Sequence, residues 1–137
     1  MDSFGVFHVS ASALAAQRQR MNVIASNLAN AHSTKTDEGG PYRRQDVVFS
    51  TEPLADGQDG LEAVKVSGIV RDDAPFKMVF DPSHPDANQD GFVAMPNVNV
   101  IEEMVNMMMA SRAYEASVSA FNMSKSMFLK TLELGRV

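Results

Sequence analysis

Residues 86–91, "DANQDG", place Asp86, Asn88, Asp90 and Gly91 at the first, third, fifth and sixth positions of a calcium-binding loop. The twelfth position is Asn97, where such a loop needs a bidentate Glu, and Pro85 stands where a helix should end. Asn and Asp followed by Gly also spell a tight turn, which is the expectation here. His8, His32 and His84 are far apart and lack a second ligand three or four residues on, so no metal site is expected. Ser10, Ser12, Ser111 and Ser117 lie in helical sequence without the glycine pattern of a nucleophile elbow. Glu102 and Glu103 are paired carboxylates, but neighbouring helix positions point about 100° apart. They suit the first turn of a helix, where negative charge complements the dipole. "TDEGGPY" has neither the Lys-Ser/Thr nor the strand-to-helix setting of a phosphate loop. Neither catalytic residues nor a cofactor are expected. A small hydrolase built on Asp86, Asp90 and His84 is the enzymatic alternative; replacing them would abolish activity and spare assembly.

The elements around these residues are more informative. In the first segment, 1–32, Phe7, Leu14, Met21 and Leu28 recur every seven residues, with Ser10, Gln17, Ile24 and Ala31 three after each. That spacing lays one stripe along a helix face. In the last segment, 97–137, Val100, Met104, Met107, Ser111, Tyr114, Val118, Phe121, Lys125, Phe128 and Leu132 step by fours and threes. Asn97 or Asn99 is placed to cap this helix, and Gly135 to stop it. All six prolines fall in the middle segment, 33–96, with short β-branched runs between Gly, Pro and Asp clusters. The expected fold is α+β: two long terminal helices pairing as an antiparallel coiled-coil hairpin, with a small antiparallel β insert of three or four strands. Leu14, Met21, Ile24 and Leu28 are expected to face Met104, Met107, Tyr114, Val118, Phe121 and Phe128.

One stripe does not account for all the apolar surface. Met107, Met108 and Met109 are consecutive, and three consecutive residues sweep about 200° of a helix. Met123 and Met127 repeat the belt further along. The segment "MNVIASNLANAHST" has no charge but three amides, Asn22, Asn27 and Asn30. An amide both donates and accepts, so it can satisfy itself across a helix contact where a buried charge could not. Contact between subunits is therefore expected at Asn22, Asn27, Asn30, Met108, Met109, Met123 and Met127, with further copies of the chain as the first partners. The helices over 5–30 and 100–130 are expected to be mobile until such neighbours arrive, because most helix stability comes from packing.

Composition narrows the classes. With 137 residues, 45% apolar content and no cysteine, the chain fits one folded domain free of disulfides and thiol chemistry. A net charge of −5, with no basic cluster beyond Arg43 and Arg44, argues against nucleic acid. Nothing approaches 18 consecutive apolar residues, so membrane insertion is not expected. Asp2 stands where a secretory signal needs positive charge, so export would read no cleaved signal.

"MNVIASNLANAHSTKTDEGGPYRR" resembles the N-terminal signature of the flagellar rod, hook and filament proteins. "VNVIEEMVNMMMASRAYEASVSAFNMSKSMFLKTLELGR" resembles their C-terminal helix, with Ser117 where many members have Asn. "FDPSHPDANQDGFVAMPNVN" and the short length are similar to the proximal-rod members of the flagellar basal-body rod family. The resemblance implies a structural subunit of the periplasmic rod, the drive shaft of the basal body. It would leave uncleaved through the flagellar type III export apparatus. Its terminal helices would line the export channel, with other rod proteins as neighbours. The competing reading is a soluble helical adaptor or chaperone of flagellar type III export, which would hold a partner in the cytosol.

Overall fold

Between Val6 and Ala29 the sequence has neither Gly nor Pro and is rich in Ala, Leu, Gln, Arg and Met, the residues that lose least on entering a helix. The computed structural model, which describes residues 3–54 and 60–135, accordingly begins with helix α1, Ser3–Ala29. It ends where Asn30 turns its side chain onto the helix: Nδ2 donates to the Ser26 carbonyl at 2.9 Å, and Ser33 Oγ donates to Asn30 Oδ1 at 3.1 Å. The second helix, α2, runs Val100–Leu134. Of the two capping candidates Asn99 takes the role, its Oδ1 accepting from the Ile101 and Glu102 backbone N–H groups at 3.1 and 3.4 Å. Gly135 ends the helix, its N–H donating to the Thr131 carbonyl.

Four strands lie between: β1 Gln45–Pro53, β2 Glu62–Arg71, β3 Lys77–Phe80 and β4 Phe92–Met95. They form two separate antiparallel ribbons, β1–β2 and β3–β4, rather than one unit. The break falls at residues 72–76. There the carbonyls of Asp72 and Ala74 are taken by the side chains of Arg43 and Asn97, so the chain leaves β2 without continuing the sheet. The longer ribbon carries a bulge. Val48 faces Gly68 and Phe49 faces Val66, leaving Ser67 as the extra residue, and its hydroxyl donates to the Val48 carbonyl.

The helices pair antiparallel, as their stripes require. Phe7 packs edge-on against Phe121 and Phe128, with ring centroids 5.2 and 6.0 Å apart, and Phe4 meets Phe128 at 6.0 Å. At the opposite end Asn27 meets Glu103. The β1–β2 ribbon lies along α1: the Val64 N–H donates to Ser12 Oγ at 3.0 Å, and Ala16 and Ala63 are both buried. So α1 has two neighbours, whereas among the described residues α1 is the only helix or strand against α2.

Candidate functional site: a polar junction and an open helix surface

Two features follow from this arrangement: a closed junction where both helices meet the insert, and a long face of α2 that nothing among the described residues covers.

The junction is built on Asn27. It sits on the same side of α1 as Val23 and Ala31, one turn from each, and is fully buried. Both of its amide hydrogens and both acceptor positions are used. Nδ2 donates to the Gln45 carbonyl at 2.8 Å and to Glu103 Oε2 at 3.0 Å. Oδ1 accepts from the Tyr42 hydroxyl and from the Gln45 N–H, each at 3.0 Å. No carboxylate could replace it, because the contact with Glu103 needs a donor. Glu103 is 1% exposed. Its other oxygen accepts from Arg44 Nε at 2.6 Å, a charge-assisted bond. Asp46 lies 3.3 Å and Asp72 3.7 Å from the same guanidinium. Burial on its own would lower the pKa of Arg44. The hydrogen bond and charge of Glu103, helped by Asp46, outweigh it and hold the guanidinium above its ordinary value. Asn97 Oδ1 accepts from the Arg44 N–H at 2.8 Å, which ties the approach to α2 into the same cluster.

A buried ion pair of this kind is weak evidence for net stability, but every member is satisfied, so it fixes one geometry between helices and insert. Glu102 and Glu103 both lie in the first turn of α2, as expected. Glu102 is exposed; Glu103 is the inward one. Asn27 had the legible signal, an amide at spacing four within an apolar stripe.

The expected site residues divide accordingly. Leu14, Met21 and Leu28 are half-buried on α1 and Ile24 is buried; Met107, Tyr114, Val118, Phe121 and Phe128 are half-buried on α2. Met104 is a correction. It is 55% exposed, because Glu103 takes the inward position and turns its neighbour outward. The seam on α2 therefore starts at Glu103, Met107 and Ala110, not at Val100 and Met104. Asn27 is a second correction, since its amide is consumed inside the chain. Asn30 is half-buried and closes the end of α1 with both ends of its amide. Asn22 is exposed, as are Met108, Met109, Met123 and Met127. Among the described residues only Glu103 and Ala110 of α2 are buried. Val100, Ile101, Val105, Leu129 and Leu132 join the four methionines at the surface.

The stretch 86–91 forms the expected turn. Asn88 Oδ1 accepts from the Asp90 and Phe92 N–H groups, and Asp86 Oδ2 accepts from Thr34 Oγ1. Gly91 has φ 81°, and a Cβ there would come within 2.9 Å of the Phe80 ring. Among the described residues no group of three or more His, Asp or Glu is poised to hold a metal, and no helix is long and apolar enough to cross a membrane.

Comparison with known proteins places this geometry. Residues 7–35 match the family described as flagella basal body rod protein, and residues 89–134 match the flagellar basal body rod FlgEFG protein C-terminal family. The flagellar basal-body rod protein FlgC of Salmonella typhimurium is 48% identical, over 99% of this chain and all of its own length. The FlgC proteins of Bacillus subtilis and Borreliella burgdorferi are 42% and 41% identical over at least 98% of each chain. The chain belongs to the FlgC family of flagellar basal-body rod proteins. It is a structural subunit of the flagellar basal body, and FlgC membership implies assembly with other rod components. The two matched stretches cover most of α1 and all of α2.

Proposed function

We propose that this subunit builds the wall of the proximal rod by burying the open face of α2 against neighbouring copies and other rod proteins. The terminal segments, 1–32 and 97–137, form the helical layer around a central channel, and the insert, 33–96, lies outside it. The subunit reaches the periplasm uncleaved through the flagellar export apparatus. It carries no catalytic group; its work is to transmit torque.

The observation that carries this reading is surface area. A compact monomer of 14.9 kDa exposes about 7,000 Å², whereas this chain exposes 9533 Å². The excess is of the size that obligate assemblies bury. Met104, Met108, Met109, Met123, Met127, Leu129, Leu132 and Leu134 of α2 are each at least half exposed, so apolar surface on that helix contributes to it.

The test is to place a charge on that surface. Met108→Asp with Met109→Asp should leave the isolated chain folded, because both side chains already face solvent. Basal bodies from cells carrying it should lack the rod, and the cells should be non-motile, because docking would bury two unpaired carboxylates. Normal rods and swimming in that variant would refute the reading.

A further inference from the structure

Charge is segregated along this chain, and the fold pairs only part of it. Residues 3–36 carry Arg18, Arg20 and Lys35 and no Asp or Glu. Residues 78–111 carry Asp81, Asp86, Asp90, Glu102 and Glu103 and no Lys or Arg. Among the described residues Arg18 and Arg20 make no ion pair, while Lys65 and Arg71 each have one and Arg44 has three. Arg18 lines a groove of about 440 Å³ between α1 and the β1–β2 ribbon, together with Gln19, Asn22, Ser26, Gln45 and Ile69. The groove thus offers one cation, several uncharged hydrogen-bonding groups and an apolar wall, and it has no acid of its own.

The β3–β4 turn, residues 81–91, carries the opposite charge. Among the described residues it contacts no helix and no other strand through its strands. Asp86 and Asp90 are exposed, and no base among the described residues pairs with them. The turn is stiff: Pro82 and Pro85 restrict it, Asn88 holds the tip, and Ser83 Oγ donates to Asp81 Oδ1 at 2.6 Å. A preorganised turn loses little entropy on docking. It is anchored through Thr34, beyond the end of α1, whereas the groove lies along the middle of that helix.

We infer that the acidic 81–91 turn of one copy docks into the α1–ribbon groove of the next, setting Asp86 and Asp90 against Arg18. This rests on the rod reading and deepens it by naming which faces meet. The two surfaces are different patches, so the contact is head-to-tail and continues from copy to copy instead of closing on itself as a symmetric dimer would. Opposite charge at such a contact steers encounter and fixes register.

The absence of cysteine makes the test direct. Full-length chains carrying Asn22→Cys and Asp90→Cys would be co-expressed in a motile strain, and purified basal bodies mildly oxidised. Chain-to-chain dimers should form at 22–90 at about tenfold or more above an Asn22→Cys, Glu133→Cys control pair, since a disulfide needs its Cα atoms within about 7 Å. Separately, Arg18→Glu should reduce the number of rods about tenfold through like-charge repulsion. Asp86→Arg with Asp90→Arg should do the same, and combining all three should restore rods. Circular dichroism of each purified variant checks that the helices persist. If basal bodies contain the chain but give no 22–90 dimer above control, the contact is overturned and the rod reading stands. A triple variant as defective as the singles also overturns it. If the wild-type chain is missing from basal bodies, the rod reading itself fails.

Discussion

The two ends of α2 differ in kind. Its first three turns meet α1 and the insert through Glu103 and Ala110, both buried, with a saturated hydrogen-bond cluster around them. From Ser111 to Leu134 no residue is buried, and beyond Phe128 α2 runs on past the Phe4 and Phe7 contacts near the start of α1. One end is closed by polar groups that demand a single geometry; the other is held by an aromatic cluster and open apolar surface. A self-sufficient fold would cap both ends. Here the specific interactions sit where the chain must define its own shape, and exposed apolar surface sits along the rest of α2, where the proposed rod contacts fall.

Substitutions should separate the two regions. The largest effect on the isolated chain is expected from Glu103→Ala, which takes the acceptor from both Arg44 Nε and Asn27 Nδ2 and should destabilise folding by about 3 kcal/mol in a urea titration. Asn27→Leu keeps the branched shape but leaves the Gln45 N–H and carbonyl without their partner; a cost of about 2 kcal/mol is expected. Phe121→Ala, in the half-open aromatic cluster, should cost about 1–2 kcal/mol by the same titration. At the open surface, Met123→Asp should stay within about 0.5 kcal/mol of the parent while impairing rod formation, which reverses the order seen at the junction. The smallest effect concerns Asp81, whose carboxyl is held below the ordinary aspartate range, first by the Ser83 hydroxyl. A lowered folded value means the contribution is present above about pH 3.9 and fades as the pH falls through the folded value. Asp81→Asn should therefore lower stability slightly at neutral pH, converge on the parent in acid and flatten the small acid-side loss.

Much of this was readable from spacing. The two heptad stripes gave the helices, their antiparallel pairing and most of the α2 seam, because a helix facing one neighbour must repeat its apolar positions. Proline confinement to 41–96 marked the insert. What spacing could not supply was the choice between adjacent positions. Met104 outranks Glu103 in hydrophobicity, yet Glu103 faces inward, since Arg44 and Asn27, distant in sequence, supply its partners. Asn22, Asn27 and Asn30 look equivalent as residue types, and tertiary context gives them three roles: surface, hub and helix end. The separation of the strands into two ribbons likewise depends on Arg43 and Asn97 reaching carbonyls far along the chain.

Amide hydrogen exchange on the dilute chain, repeated on the same chain in purified basal bodies, tests the difference between the two regions most directly. We expect strong protection in the free chain over 22–28, 42–46 and 100–110, weak protection over 115–134, and protection throughout α2 once assembled. Equal, strong protection along all of α2 in the free chain would contradict it.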